Sequence, residues 1–167
     1  LCVLFFLIIF LSFTSDSFLT VKNWVNILDN HMAHQLLLAI GMTFIISMGA
    51  LDLSVGSILA LSGIFLGMLL QNGVSIPVAV VICLLSATIM GGINGILVSC
   101  LRINPLVLTL GTSSVYRGLA IIITKGTPLY GMPKEFLRFA KGDYWVPLPV
   151  LLSGAVLVLA WCILRFT

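Results

Sequence analysis

Charge is scarce in this sequence. Only 8% of its 167 residues are Asp, Glu, Lys or Arg, whereas a soluble domain carries about a quarter. The net charge is +3 and no basic run of the kind that binds nucleic acid occurs, which excludes a nucleic-acid partner. With 60% hydrophobic residues and a mean hydropathy of +1.25, the chain is predicted to be an integral membrane protein whose apolar surface contacts lipid.

Groups that could hold a metal or a nucleotide are also few. The four cysteines (residues 2, 83, 100 and 162) lack paired spacing, so free buried thiols are expected. His31 and His34 lie one helical turn apart without a third ligand nearby. The segment GTPLYGMP has the glycine spacing of a phosphate loop, but Met132 and Pro133 stand where Lys and Ser or Thr are needed. We therefore expect no metal, no cofactor and no ATP hydrolysis by this chain.

Long apolar runs predict an all-α polytopic bundle of about six membrane spans. Residues 1–13 are too short to cross alone and represent a clipped first span or a signal-peptide core. The five full spans are predicted at residues 36–51, 53–70, 78–100, 106–124 and 148–164. In the long polar connection before the last span, PKEFLRFAK predicts a short interfacial helix, and Tyr144 and Trp145 mark the return to the interface.

Asp52 is the only charge in the apolar run 36–70. As one helix this run would be roughly 50 Å long, beyond an apolar slab of ~30 Å, so two segments are expected to meet near Asp52. A carboxylate within a membrane points to a functional site. It is equally suited to cap the following helix by accepting the N–H groups of Ser54 and Val55. An intramembrane aspartyl protease would need a second aspartate in another span, and the sequence has none.

Four further polar residues inside predicted spans join Asp52 as candidates for lining a substrate pathway. Asn94 has the alternative of bonding across helices, and Thr109 and Thr112 that of bonding their own helix backbone. Arg117 must face a cavity, a partner or the interface, because an unpaired charge in hydrocarbon is costly.

Small residues recur at helical spacing and predict close helix packing in a compact bundle. The candidate packing glycines are Gly49, Gly56, Gly63, Gly67, Gly91 and Gly95.

Three stretches resemble a known family. GMTFIISMGALDLSVGSILALSG (residues 41–63) resembles the GMT…GGIDLSVGS…AL.G signature of the membrane-spanning subunits of bacterial monosaccharide ABC importers, the ribose, xylose, arabinose and autoinducer-2 group. GGINGILVSCLRINPLVLTLGT (91–112) and YRGLAIIITKGTPLYGMP (116–133) are similar to the same family, in its order and at about its spacing. The sequence departs from the signature at Ala50 and Leu51, where the family usually has Gly and Ile.

The resemblance implies a pore-forming permease subunit, not an enzyme, that moves a monosaccharide or similar polyol across the bacterial inner membrane. The implied partners are an ATP-binding subunit, a periplasmic or lipoprotein solute-binding protein, and a second permease subunit, identical or different. Family members have about twice this length, so residues 1–167 are expected to form one permease domain, incomplete at both ends. The alternatives are a permease for another solute such as a branched-chain amino acid, a secondary transporter, and a non-transporting scaffold or remnant.

Two arguments disagree on membrane orientation, and we follow the one from the resemblance. The resemblance implies a cytoplasmic start, which places the long loop after the fifth span outside. The positive-inside rule prefers the reverse. The family-based orientation puts four cations outside against two inside, namely Lys125, Lys134, Arg138 and Lys141 against Arg102 and Arg165.

Overall fold

The computed structural model describes residues 1–27, 32–141 and 148–166. Within these ranges every regular element is a helix, which confirms the all-α class. The helices in chain order are α1 (Cys2–Thr14), α2 (Val21–Ile27), α3 (Ala33–Ser47), α4 (Val55–Gln71), α5 (Ile76–Leu101), α6 (Pro105–Thr124), α7 (Lys134–Lys141) and α8 (Leu148–Phe166).

The chain is divided into two compact units. One comprises Leu1–Ile40 together with Arg138–Thr167, and the other comprises Gly41–Leu137. In the second unit α4, α5 and α6 contact one another in all three pairings. All candidate pathway residues belong to this second unit. The expectation of one permease domain over residues 1–167 stays a prediction.

Six apolar helices match the six predicted segments, but only some have full span length. Over the described residues, α5, α6 and the Leu148–Arg165 part of α8 are long and apolar enough to cross a bilayer. α3 and α4 have 15 and 17 residues, roughly 22 and 26 Å, which is short of a slab of ~30 Å. The predicted ends of these two spans at residues 51 and 53 were wrong, because residues 48–54 form a non-helical break and not a single-residue junction.

The boundaries of α5 and α6 follow from local sequence. Asn104 precedes Pro105, has extended backbone, and its side-chain oxygen accepts a 2.9 Å hydrogen bond from the Leu106 N–H. A proline disfavours helical backbone at the residue before it, so α6 begins at Pro105, and Asn104 caps it. Arg102 ends α5 in the left-handed conformation with φ 51°.

Two of the helices, α2 and α7, are short, with 7 and 8 residues. α7 confirms the predicted helix in PKEFLRFAK. α2 lies between the first two predicted apolar segments, where no helix was predicted. Its start is marked by Thr20, whose hydroxyl oxygen accepts a hydrogen bond from the Asn23 N–H at 3.3 Å. The predictions for His31, Tyr144 and Trp145 fall outside the described residues.

The buried core of the second unit lies where α4, α5 and α6 meet. Leu61, Met90, Tyr116 and Ala120 form one cluster that contains residues of all three helices. The Tyr116 hydroxyl donates a 3.1 Å hydrogen bond to the Met90 carbonyl oxygen, so α6 is tied to α5 by a polar contact inside apolar surroundings. This core fixes the faces of the three helices that border the break at residues 48–54.

The candidate packing glycines have different surroundings. A Cβ placed on Gly67 would lie 2.7 Å from Met132 Cε, so this glycine admits close packing by the segment after α6. Gly49 has φ +75° and serves as a left-handed residue after α3. A Cβ on any of the others would meet nothing within 4 Å in the described chain; these are Gly56, Gly63, Gly91 and Gly95. Their packing role stays a prediction.

Candidate functional site at the helix break

The break begins after α3, where two backbone N–H groups donate to carbonyl oxygens in the last turn of the helix. The Gly49 N–H donates to the Ile46 oxygen at 2.9 Å and the Ala50 N–H donates to the Ile45 oxygen at 3.1 Å. The positive φ of Gly49 allows this closing turn, which residues with a Cβ adopt rarely. The chain leaves α3 here and does not become helical again until Val55.

Asp52 lies in the break and holds the start of α4. Its Oδ1 accepts two hydrogen bonds from Ser54, one from the backbone N–H at 2.7 Å and one from the hydroxyl at 2.6 Å. The predicted bond from the Ser54 N–H is confirmed. The bond expected from the Val55 N–H is replaced, among the described contacts, by the Ser54 hydroxyl.

Asn94 joins α5 to the same point. Its Nδ2 donates a 2.8 Å hydrogen bond to the Ser54 hydroxyl oxygen, forty residues away in the sequence. Ser54 is fully buried and Asn94 is 3% exposed, so this contact is shielded from solvent. The interpretation of Asn94 as a residue that bonds across helices is confirmed, and a continuous chain of hydrogen bonds runs from Asn94 through Ser54 to Asp52.

Thr109 connects α6 to the break from the other side. Its Oγ1 accepts a 3.2 Å hydrogen bond from the Leu53 N–H. The prediction that Thr109 bonds its own helix backbone is confirmed, because the Leu106 oxygen is 3.4 Å from Oγ1. The Leu51 oxygen, in the break, is 3.5 Å from the same atom. α5 and α6 therefore both reach residues 51–54 through polar contacts.

Thr112 behaves as predicted. Its Oγ1 donates to the Thr109 carbonyl oxygen at 3.3 Å, within α6. This bond satisfies the hydroxyl locally. Thr112 thus lies next to the site in sequence but is not part of the contacts at the break.

A cavity of about 390 Å³ opens beside the break. Asp52, Asn94 and Thr109 contribute its polar lining. The rest of the lining is apolar or small: Ile45, Met48, Ala50, Leu51, Gly91, Gly95, Val98 and Pro105. Three of the five candidate pathway residues are thus brought together in one cavity.

Arg117 lies elsewhere. It lines a separate cavity of about 470 Å³ between α4, α6 and residues 126–132, together with Ser57, Thr124 and Thr127. In the described ranges no ion pair joins Arg117 to Asp52. The candidate pathway residues consequently fall into two groups that line different spaces.

Two features of this region were not found by sequence reasoning. Ser54 was considered only as an N–H donor, although its hydroxyl links Asp52 to Asn94. The segment after α6 folds against α4, where the Gln71 side chain donates to the Tyr130 carbonyl at 2.5 Å and Met132 covers Gly67. The sequence contained a partial signal for each feature: a serine follows Asp52 by two residues in DLS, and Gly67 has no side chain to block a neighbouring segment.

Comparison with known proteins gives a consistent result. The model of the family described as branched-chain amino acid transport system / permease component matches residues 30–167. The ribose import permease protein of Bacillus subtilis (strain 168) is 35% identical over 167 residues, which cover 98% of this chain and 52% of that protein. The D-allose transport system permease protein of Escherichia coli (strain K12) is 35% identical over 155 residues, covering 92% and 47% respectively.

A third relative is named for the import of a different solute. The autoinducer 2 import system permease protein of Photorhabdus luminescens is 38% identical over 135 residues, which cover 79% of this chain and 40% of that protein. The chain spans about half the length, or less, of these curated relatives. No solved structure matches the chain significantly.

Proposed function

The chain belongs to the family of branched-chain amino acid transport system permease components, and on that premise we propose that it forms part of the pore of an ATP-binding-cassette importer for a monosaccharide or similar small polyol. It is a multi-pass membrane protein of a permease family and not a catalytic subunit. The observation that carries the proposal is the 35% identity to a ribose import permease across nearly the whole chain. The D-allose permease supports the same solute class.

The partners follow from this function. A permease subunit of such an importer needs an ATP-binding subunit on the cytoplasmic side and a solute-binding protein on the other. A second permease subunit, identical or different, would complete the pore in the bacterial inner membrane. Exposed apolar side chains of α5 and α8 would contact lipid, for example Leu84 and Leu159.

The residues at the break suit a transit route more than a tight binding site. The cavity beside Asp52 offers a few hydrogen-bonding groups within a mostly apolar lining. Transit requires binding that is favourable enough for entry and weak enough for release. Selection among solutes would then rest mainly with the solute-binding protein, while this chain provides a route that hydroxylated solutes can pass.

Two other functions remain as alternatives. Import of a branched-chain amino acid is favoured by the description of the matching family model. A non-transporting scaffold or remnant would keep the helices without a working route. These alternatives predict different results for the same uptake experiment.

The test is a chimaeric permease. The aligned part of the Bacillus subtilis ribose permease is replaced by residues 1–167 of this chain, and uptake of labelled ribose and labelled leucine is measured in cells that lack the native permease. We expect uptake of ribose that is abolished by vanadate. Leucine uptake in its place would favour the amino acid alternative, and no uptake at a normal level of inserted protein would favour the scaffold.

A further inference from the structure

Arg117 is the only charged residue of α6 and lines the cavity of about 470 Å³ beside α4. All lining residues of this cavity belong to the unit Gly41–Leu137. α6 ends at Thr124, seven residues beyond Arg117, which is roughly 10 Å along the helix axis. The lining continues past this end to residues 126–129 and Met132. The cavity therefore extends from a charge within a membrane span to the segment that follows the span.

The guanidinium of Arg117 has no partner in the part of the chain that the structure describes. Its side chain is exposed, and no hydrogen bond or ion pair joins it to a described residue. Residues 41–137 hold two carboxylates, Asp52 and Glu135, and neither lines the cavity. An uncompensated charge within a span is costly. The cavity thus carries a net positive charge, and this charge selects an anionic occupant.

Three hydroxyl groups line the same cavity, but their protons are already used. Ser57, Thr124 and Thr127 each donate to a backbone carbonyl oxygen within four residues, at 2.7, 2.9 and 2.7 Å. Arg117, which has five N–H donors and no acceptor, is therefore the side chain of this cavity with free donors. The planar fork of a guanidinium matches the oxygens of a phosphate in a bidentate arrangement.

The rest of the lining is apolar or glycine, and part of it belongs to the outer surface. Leu59 and Ile121 line the cavity and are 60% and 56% exposed. Exposed apolar side chains of a membrane span contact the hydrocarbon of lipids. The same side chains therefore border both the cavity and the lipid. A free phosphate ion would leave this apolar lining uncovered, whereas a phospholipid carries an anion and hydrocarbon in one molecule.

We propose that the cavity at Arg117 binds the phosphate group of an anionic phospholipid. The guanidinium of Arg117 donates to two phosphate oxygens, and the upper part of an acyl chain lies along Leu59 and Ile121. The headgroup enters from the end of the span, where residues 126–129 border the cavity. The proposal depends on the chain being a multi-pass membrane protein and not on the solute that it moves. It gives Arg117 a role outside the solute route.

The test is photo-crosslinking of a phospholipid to the chimaeric permease, purified in detergent. The probe is phosphatidylglycerol with a diazirine at the top of one acyl chain. Its crosslinks to residues 55–71 and 105–132 are quantified by peptide mass spectrometry at a subsaturating concentration. We expect Arg117→Gln to reduce this crosslinking about tenfold or more, because charged hydrogen bonds to the phosphate are lost.

Lys125→Gln is the matched control. It removes an equal charge at the end of the same helix, from a residue that does not line the cavity. Crosslinking should change by less than about twofold, since an exposed charge is screened by salt. A diacylglycerol with the same diazirine, which lacks the phosphate, should crosslink equally to the unmodified protein and to Arg117→Gln. Excess inorganic phosphate should not compete with the probe.

Gly63→Leu tests the cavity without a change of charge. Gly63 lines the cavity, and a Cβ there would meet nothing within 4 Å, so a leucine side chain fits and takes up part of the space. This variant should also lower the crosslinking of phosphatidylglycerol. If Arg117→Gln does not insert or unfolds on purification, Gly63→Leu decides.

Four results would each overturn the proposal. Unchanged crosslinking in Arg117→Gln would mean that another group compensates the charge, such as a carboxylate from outside residues 1–167. Equal losses in Arg117→Gln and Lys125→Gln would indicate a general attraction of anionic lipid. Competition by inorganic phosphate would indicate a site for a free anion, and unchanged crosslinking in Gly63→Leu would place the lipid outside the cavity. The assay involves no transport, so its result stands whether or not the chimaera takes up ribose.

Discussion

The Asn94 side chain on α5 donates a 2.8 Å hydrogen bond to the hydroxyl of Ser54, the residue that immediately precedes α4. The same hydroxyl donates to Asp52. Ser54 thereby holds the break between α3 and α4 against the neighbouring helix. Removal of this hydroxyl affects two partners at once, whereas removal of the Asn94 amide leaves the bond to Asp52 in place.

The first prediction concerns the contribution of the Asn94–Ser54 hydrogen bond to the free energy of unfolding. Ser54→Ala leaves the Asn94 NH₂ group without an acceptor in a buried place, which should cost about 1–3 kcal/mol of stability. In the double variant Ser54→Ala, Asn94→Ala the costs should not add, with an interaction of roughly 1 kcal/mol. Denaturant unfolding of the purified permease in detergent measures the cycle. Additive effects within error would show that the two side chains are energetically independent.

Thr109 provides a second prediction. Thr109→Val keeps the shape of the side chain but cannot accept the bond from the Leu53 N–H. It should lower stability by about 1 kcal/mol or more, because a partly buried N–H loses its partner. Thr109→Ser retains the hydroxyl and should lose less. The thermal unfolding midpoints of the two variants test this, and a Val variant as stable as the Ser variant would contradict the role given to the hydroxyl.

A third prediction concerns Gly67. A side chain there would meet Met132 Cε, the flexible end of a long side chain, so alanine should be tolerated better than valine. Gly67→Val should destabilise the protein by roughly 1–3 kcal/mol through overpacking. Met132→Ala in the same chain should restore part of this loss. If the second change fails to restore stability, the segment after α6 does not pack on α4 as described.

The fourth prediction decides the orientation in the membrane. Gly131 has φ +80°, which disfavours a cysteine reporter, so the adjacent Tyr130, 77% exposed, is the better site. In a cysteine-free background, Tyr130→Cys should react with an impermeant maleimide in intact cells and Arg102→Cys should react only after lysis. The opposite pattern would support the positive-inside argument against the orientation implied by the family.

Much of the fold could be predicted because its determinants are local. The apolar runs gave the six apolar helices, Asn104 with Pro105 gave the start of α6, and PKEFLRFAK gave α7. The break near Asp52 followed from the length of the apolar run against the thickness of a bilayer. The width of the break did not, because α3 ends at Ser47, five residues before Asp52, and the apolar pattern continues past that point.

The contacts of the site were harder to predict because they join distant parts of the chain. Asn94 reaches Ser54 across forty residues, and Leu53 reaches Thr109 across 56. Spacing on one helix does not say which face meets which neighbour. Arg117 and Asp52 were grouped as polar residues in spans, yet the packing of α4 against α6 places them at different cavities.

The role of Asp52 as a cap of α4 is tested by uptake of ribose by the chimaeric permease with Asp52 replaced by Asn, Ser or Leu, normalised to the amount of protein inserted in the membrane. Asn and Ser still accept hydrogen bonds from Ser54, and caps of these types differ little in energy. Leu leaves the Ser54 N–H and hydroxyl without their acceptor in an apolar setting. We expect uptake close to that of the unmodified chimaera for Asn and Ser, and defective uptake with poorer insertion for Leu. Equal loss of uptake for Asn and Leu at normal levels of inserted protein would contradict it, because the charge of Asp52 and not its hydrogen bonds to Ser54 would then be essential.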